Sequence, residues 1–265
     1  MRRRLLAGLL ASGLTLFLVV CAQAGATEAC KPAGFKILLD VGHTPEETGA
    51  TSAHGNTEYE FNLSLANVAM AQLVDAGFSQ TTLLLARGKG YAQLAQRAAI
   101  VNRTSPNSTR ERYLSKWEFA GVERPYSDKF SGHSLFVSFK NLFRRQSTEF
   151  AALLGRELAS ANLRYTPQHA EDIPGARLPL IDAELGIYRY DNLVLLRDSQ
   201  VPAVLLEAGL IINRKDEIVL RTAERQSLLA RAITNAALEF CKHRKIGPPP
   251  HDAGKPIARA GARSG

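Results

Sequence analysis

The chain is poor in cysteine and tryptophan, and it lacks a basic segment of the kind that binds nucleic acids. Three of its 265 residues are cysteine and one is tryptophan. Lysine and arginine outnumber aspartate and glutamate by 33 to 25, but they are not interleaved with aromatic side chains. This composition does not favour nucleic acid as a partner, and it leaves too few cysteines for a disulfide-rich scaffold.

The N-terminus has the features of an export signal. Arg2–Arg4 are followed by an almost wholly apolar stretch over residues 5–20 and then by two overlapping small-x-small patterns. We therefore predict that residues 1–24 are a signal peptide and that the protein is exported, to the periplasm or the cell wall. After cleavage no stable membrane anchor would remain, whereas an uncleaved anchor is the alternative.

The mature chain would carry 30 basic against 25 acidic residues, a net charge of +5. That excess suits a polyanionic environment such as a cell wall, although an ordinary solvated surface would also account for it. Two cysteines would remain, Cys30 and Cys241, at opposite ends of the globular sequence. In an oxidising compartment we expect them to form one disulfide bond, and two free thiols are the alternative.

Apolar runs and helical periods alternate over residues 30–243, which predicts one α/β domain with a largely parallel or mixed sheet. The polar stretches 104–130 and 167–192 are predicted to be surface loops that wall a cleft. Residues 246–265, rich in Pro, Gly, Ala and Arg, are predicted to be a disordered basic tail. The predicted strands are Lys36–Asp40, Thr82–Ala86, Ser134–Phe139 and Ala203–Leu206, and the predicted helices follow Glu58 and cover Tyr91–Arg103, Ser147–Leu163 and Ala223–His243.

Three ionisable residues stand where strands end or a helix begins. His43 follows the first apolar run, Glu58 precedes the first helical period, and Glu207 follows Ala203–Leu206. Ligands bind beyond the carboxyl ends of the strands in open α/β sheets, so this placement indicates metal-assisted hydrolysis with two ligands and a general base. Taken singly, the histidine could be a turn residue, and each carboxylate could serve a helix dipole or an arginine.

Longer motifs around these residues resemble the zinc-dependent N-acetylmuramoyl-L-alanine amidases of bacterial cell walls. They are Leu39–His43, Gly55–Leu63, Phe130–Ser138, Glu184–Asn192 and Pro202–Gly209. The resemblance extends from about residue 36 to residue 240. It implies a mixed, mostly parallel central sheet with helices on both faces.

The resemblance also implies an activity and a site. Zinc would be held by His43, by Glu58 and by a histidine in a Ser-Ile-His motif at another strand end, and water would fill the fourth position. Glu207 would act as general base and then as general acid. The substrate would be peptidoglycan, cleaved between the lactyl group of N-acetylmuramic acid and the L-alanine of the stem peptide.

The chain departs from the family pattern after Arg103. The family has an apolar strand with the histidine motif there, whereas residues 104–113 are polar and contain no histidine. We therefore expect a missing third ligand, impaired activity and a sheet that lacks a central strand unless Ser134–Phe139 closes the gap. His54, His133 and His169 are weak substitutes, His133 because it would lie at the wrong end of a parallel strand. A non-catalytic peptidoglycan-binding relative and another zinc hydrolase are the alternatives.

Overall fold

The structure is a computed structural model that describes residues 30–89, 114–172 and 177–243, together with the backbone of residues 13–22. The predicted helix Tyr91–Arg103, the departure at residues 104–113 and the predicted tail lie outside the described residues. The rest of the predicted signal peptide lies outside them as well.

The described elements are a mixture of strands and helices, which confirms an α/β fold, although several strands follow one another without a helix between them. The strands are β1 (Gly13–Ala22), β2 (Phe35–Val41), β3 (Gln80–Leu84), β4 (Ser115–Phe119), β5 (Val122–Tyr126), β6 (Ser134–Val137), β7 (Leu180–Asp182), β8 (Ile187–Arg189) and β9 (Ala203–Leu210). The helices are α1 (Glu58–Asp75), α2 (Arg144–Ser160), α3 (Val194–Asp198), α4 (Arg214–Leu220) and α5 (Ala223–His243).

The main sheet has the strand order β3-β2-β1-β9-β6-β8-β7, and β4 and β5 form a separate hairpin. In the main sheet β2–β3 and β6–β8 pair in parallel, whereas β1–β2, β1–β9, β6–β9 and β7–β8 pair antiparallel. The sheet is therefore mixed, and the prediction that it is mostly parallel is wrong. The physical reason is that β1 and β6 run against β9, and β7 folds back on β8 without a crossover helix.

The centre of the sheet contains a strand from the predicted signal peptide. β1 pairs on one side with β2 and on the other with β9, so Leu16 faces both Val41 and Leu206. β6 lies on the far side of β9 and does not close this position. Within the described residues, the place of the predicted missing strand is therefore filled by β1. Signal-peptide cleavage remains a prediction.

The two faces of the sheet are covered unequally. The larger core joins the side chains on one face of β2, β6 and β9 to the apolar faces of α1, α2 and α5. A smaller core on the other face holds Phe136, Tyr188 and Leu205 under α3 and the 3₁₀ helix Pro167–Ala170. The prediction of helices on both faces thus takes the form of three long helices on one face and a five-residue helix on the other.

Both predicted surface loops contain regular structure. The stretch 104–130 includes the β4–β5 hairpin, whose side chains are mostly exposed, and 167–192 includes β7 and β8. The predicted bond between Cys30 and Cys241 is confirmed, with Cα atoms 5.3 Å apart. Among the described residues, no helix has the length and apolar composition needed to cross a bilayer.

Candidate active site

His43 and Glu58 face each other beyond the end of β2. The Nε2 atom of His43 lies 3.1 Å from Oε1 of Glu58, and Oε2 of Glu58 accepts a hydrogen bond of 3.0 Å from the amide of Ala50. His43 has a φ of 67°, a left-handed conformation that turns the chain sharply after the strand. A Cβ atom added to Gly49 would lie 2.6 Å from the His43 ring and 2.7 Å from Glu58, so only glycine leaves room for the pair.

The start of α1 holds Glu58 in this position. Thr57 is the N-cap: its hydroxyl accepts from the amide of Glu60, and the Glu60 carboxylate accepts from the Thr57 amide. This reciprocal capping box fixes the first turn of the helix. Glu58 follows the cap directly and is buried, so the cap and the Ala50 amide together orient its carboxylate toward His43.

The His43–Glu58 pair has the donor chemistry of two zinc ligands, an imidazole nitrogen and a carboxylate oxygen. A catalytic zinc site usually has three protein ligands, and in the described part of the chain no three His, Cys, Asp or Glu side chains cluster in a way that could hold a metal ion. His43 and Glu58 therefore supply two of the three protein ligands that a catalytic zinc site usually has.

Glu207 pairs with His169 on the smaller-core face of the sheet. The Nε2 atom of His169 lies 2.7 Å from Oε2 of Glu207, and both side chains are buried. The His169 ring packs edge-on against Phe136 and Tyr188, with ring centroids 4.8 Å and 5.4 Å apart. These aromatic contacts leave the imidazole little freedom, so it holds one carboxylate oxygen of Glu207 in a defined place.

The two pairs lie at the same edge of the sheet. Because β1 runs antiparallel to both β2 and β9, those two strands run in the same direction, and their register puts Val41 level with Leu206. Neighbouring strands are about 4.8 Å apart, so the ends of β2 and β9 are separated by roughly 10 Å. The topology thus brings His43, Glu58 and Glu207 to one edge, as the sequence predicts.

His133 lies at that edge too, contrary to the expectation for a parallel strand. β6 runs antiparallel to β9, and Ser134 pairs with Glu207. Because side chains alternate along a strand, His133 projects to the opposite face from Glu207. Burial of its ring lowers the pKa of His133 to about 4, so the imidazole is neutral near pH 7.

His54 is bound to a buried carboxylate that sequence reasoning missed. Oε2 of Glu217 accepts from the backbone amide of His54 at 2.8 Å and lies 2.6 Å from its Nδ1 atom. Oε1 of Glu217 accepts from the Ser52 hydroxyl at 2.6 Å and from the Asn56 amide at 3.1 Å. The N-cap Asn213 with acidic residues after it signals the start of α4, but that signal does not reveal that Glu217 points inward.

Comparison with known proteins identifies a family for the chain. A model of the N-acetylmuramoyl-L-alanine amidase family matches residues 37–114 and 123–239. No protein with a curated description matches the chain significantly.

Solved structures of amidases share the fold. The amidase from Clostridium difficile 630 is 18% identical, with a TM-score of 0.52 over 78% of this chain and 96% of that one. The catalytic domain of CwlV from Bacillus (Paenibacillus) polymyxa var. colistinus is 22% identical, with a TM-score of 0.50 over 77% and 95%. Ami1 from Mycobacterium smegmatis is 16% identical, with a TM-score of 0.50 over 83% and 91%.

The family match covers most of the chain and includes all three residues at the shared sheet edge. Zinc dependence is a general property of this family. The protein therefore belongs to the N-acetylmuramoyl-L-alanine amidase family.

Proposed function

We propose that this protein is an exported peptidoglycan hydrolase that cleaves the amide bond between N-acetylmuramic acid and the L-alanine of the stem peptide. The observation that carries the proposal is the placement of the His43–Glu58 pair and of Glu207 at the same edge of the sheet. In a chain of the amidase family, that edge supplies ligands on one side and a proton-transfer group on the other.

Glu207 would move the proton. His169 binds Oε2 of Glu207, whereas Oε1 has no hydrogen-bond partner among the described residues. The Glu207 side chain is 10% exposed, so solvent can still reach it. Oε1 is therefore the atom that would accept a proton from the attacking water and then donate it to the leaving amine. His169 would act as a positioning residue, because it fixes the carboxylate without reaching the scissile bond itself.

His43 and Glu58 would hold the family's zinc, which when bound polarises the scissile carbonyl and lowers the pKa of water. The Ala50 amide would keep the Glu58 carboxylate oriented during this step. With two ligands among the described residues instead of three, we expect weak zinc binding and slow hydrolysis compared with a complete site.

A non-catalytic peptidoglycan-binding relative is the second candidate, and the incomplete ligand set favours it. Metal analysis of the purified protein, combined with a zymogram on purified cell wall, decides between the two. Zinc with clearing of the zymogram supports the amidase. Binding to cell wall without zinc or clearing supports the binding protein. Soluble peptide and ester substrates would detect another zinc hydrolase.

Export is part of the proposal. The predicted signal peptide over residues 1–24 and the positive charge of the mature chain agree with an enzyme that acts on the cell wall. Peptidoglycan would be its partner, without nucleic acid and without a membrane anchor after cleavage. N-terminal sequencing of the exported protein should find a start near Gly25 or Thr27, and retention of Met1 in most of the protein would contradict it.

A further inference from the structure

The family match is interrupted at the first strand of the β4–β5 hairpin. The family model matches residues up to 114 and from 123 onward, so β4 and the turn after it fall outside the match. The two strands pair only with each other and stand apart from the main sheet. An exposed two-stranded hairpin is marginally stable alone, so its contacts with the domain determine where it sits.

Trp117 attaches the hairpin to the loop that precedes Glu58. Its indole Nε1 donates a hydrogen bond of 3.0 Å to the carbonyl of Ala53, and its ring lies edge-on to His54 with centroids 5.0 Å apart. Phe119 stacks on Trp117 and also meets the His54 ring, with centroids 4.7 Å apart. Trp117 and Phe119 of the hairpin thus form an aromatic surface beside this loop, which we call the wall.

A second set of contacts joins the wall to Arg214, the first residue of α4. The Arg214 guanidinium lies 3.9 Å from the ring centroid of Tyr126 and 5.1 Å from that of Trp117. Asp128 accepts hydrogen bonds from the same guanidinium and from the Arg214 backbone amide. Because the wall is held by stacking, hydrogen bonds and an ion pair, it is a preformed surface.

The loop that faces the wall is held in place by hydrogen bonds to one carboxylate. The buried Glu217 carboxylate binds Ser52, His54 and Asn56 together. Because Nδ1 of His54 faces Glu217, Nε2 is the ring nitrogen that can face a ligand, and it has no hydrogen-bond partner among the described residues.

A groove runs between this loop, the hairpin wall and α4. A cavity of about 420 Å³ is lined by His54, Asn56, Phe119, Glu217, Ile218 and Arg221. A second cavity of about 270 Å³ continues along α1 and shares Asn56 and Arg221 with the first. Asn56 lies directly before Thr57, the N-cap of α1, so the groove borders the loop that leads to Glu58.

The hydrogen-bonding capacity that remains in the groove favours an anion. The Arg221 side chain is exposed and makes no hydrogen bond or salt bridge within the described residues, although its charge acts on the Glu60 carboxylate in the same groove. The Glu217 carboxylate is already occupied by its four donors. The Glu60 carboxylate is likewise engaged by Thr57. A second guanidinium, that of Arg124, lies against Gly55 at the tip of the loop, and its Nε atom is buried without a hydrogen-bond partner among the described residues.

We propose that this groove binds the carboxylate-bearing peptide of peptidoglycan, at a subsite separate from the bond that is cut. A carboxylate would pair with Arg221, and aliphatic groups of the ligand would pack on Phe119 and Ile218, which are 37% and 58% exposed. This inference rests on the proposed function for its ligand, and it assigns the β4–β5 hairpin a role in choosing which stem peptide is bound.

Trp117 provides the measurement, because it is the single tryptophan of the chain. We would titrate the Glu207→Gln protein, which cannot hydrolyse its ligand under the proposed mechanism, with a soluble disaccharide-peptide from peptidoglycan and follow the fluorescence. The same disaccharide without its peptide is the ligand control. We expect saturable binding of the peptide form that weakens with added salt, and at least tenfold weaker binding of the bare disaccharide.

Variants locate the contact. Arg221→Ala should raise Kd about tenfold, because it removes a charge-assisted hydrogen bond. Arg221→Lys should recover part of the lost affinity, because it keeps the positive charge. Arg156→Ala removes an exposed arginine from α2, away from the groove, and should leave Kd unchanged. Thermal unfolding of each variant establishes that the protein is folded, and the exposed position of Arg221 makes both substitutions compatible with folding.

The results separate this inference from the proposed function. If Arg221→Ala and Arg156→Ala bind equally well, or the bare disaccharide binds as tightly as the peptide form, the groove is not a peptide subsite even if the protein digests cell wall. If binding depends on Arg221 but the unsubstituted protein carries no zinc and clears no cell wall, the subsite stands and the amidase proposal fails.

Discussion

Nε2 of His169 lies 2.7 Å from Oε2 of Glu207, and this contact joins two residues 38 positions apart in the sequence. Glu207 comes from a central strand, and His169 comes from a short 3₁₀ helix, Pro167–Ala170, at the smaller core. Phe136 and Tyr188 confine the imidazole from the sides. The carboxylate is therefore preoriented, with Oε2 held by His169 and Oε1 left for the proton transfer that we propose.

Glu207→Gln should reduce hydrolysis of cell wall by at least about 100-fold, because an amide keeps the shape of the side chain but cannot accept a proton. The zinc content should stay the same, since Glu207 is not one of the proposed ligands. Turnover is measured on purified peptidoglycan, and metal by elemental analysis. Glu224→Gln, at an exposed position of α5, is the matched control and should behave as the parent. Near-normal activity of Glu207→Gln would remove Glu207 from the mechanism.

His43→Ala and His54→Ala should affect zinc differently. His43 faces Glu58, whereas Nδ1 of His54 is bound to Glu217. We therefore expect His43→Ala to abolish the weak zinc binding and His54→Ala to preserve it. Equilibrium dialysis against zinc at fixed pH measures the affinity directly. Loss of zinc in the His54 variant, with His43→Ala unaffected, would assign the ligand role to His54.

Stability should fall in acid because of His133. Its pKa is lowered by burial from 6.5 to about 4, so between these values the unfolded chain binds a proton that the folded chain excludes. The free energy of unfolding should therefore decrease by about 3 kcal/mol as the pH drops through this window. Burial raises the pKa of Asp216, which acts in the opposite direction, so the effect of His133 must be isolated by substitution.

His133→Phe is that substitution, since it keeps an aromatic ring without a titrating group. Urea unfolding between pH 4 and pH 7 should show a shallower pH dependence for His133→Phe than for the parent. His243→Phe removes an exposed histidine near the end of α5 that lies 3.9 Å from Glu149 and 3.8 Å from Glu239. It is the control, and it should change the slope less than His133→Phe does. Parallel curves for the parent and His133→Phe would show that the ring is accessible to protons in the folded state.

The residues at the sheet edge could be predicted because each follows a local pattern. His43 and Glu207 terminate apolar runs, and Glu58 begins a helical period after a capping sequence, so short stretches of chain place all three. The contact of His169 with Glu207 could not be predicted, because it depends on how the segment around residue 169 crosses the sheet. The direction of β6 relative to β9 could not be predicted either, because an apolar run does not indicate whether a strand pairs in parallel or antiparallel.

The hairpin and the buried Glu217 show a second limit. β4 and β5 have mostly exposed side chains, so no buried face gives them a clear apolar pattern. Glu217 lies among charged residues at the start of a helix, where an acidic side chain normally faces solvent. Its burial follows from the approach of Ser52 and Asn56 from a distant loop.

The central strand provides the last prediction. In the structure Gly13–Ala22 separates β2 from β9, and removal of residues 1–24 would leave those strands roughly 10 Å apart, too far for hydrogen bonds. Their backbone groups would lose partners in the middle of the sheet. The mature chain should therefore be less stable than one given a replacement strand. We expect an apolar strand ending in Ser-Ile-His, inserted between Pro106 and Asn107, to raise the free energy of unfolding by about 3 kcal/mol or more.

The same insertion should complete the zinc site, because its histidine would reach the sheet edge that already holds His43 and Glu58. Urea denaturation measures the stability gain, and elemental analysis should rise to one zinc per chain with faster clearing of cell wall. An insertion ending in Ser-Ile-Ala is the control: it restores the strand without the ligand, so stability should recover while zinc does not. If the unmodified mature chain already binds one zinc tightly and unfolds at the same urea concentration as the inserted form, a different segment closes the sheet and supplies the ligand. Single alanine substitutions of His54, His133 and His169 would then identify the ligand as the residue whose replacement abolishes zinc binding.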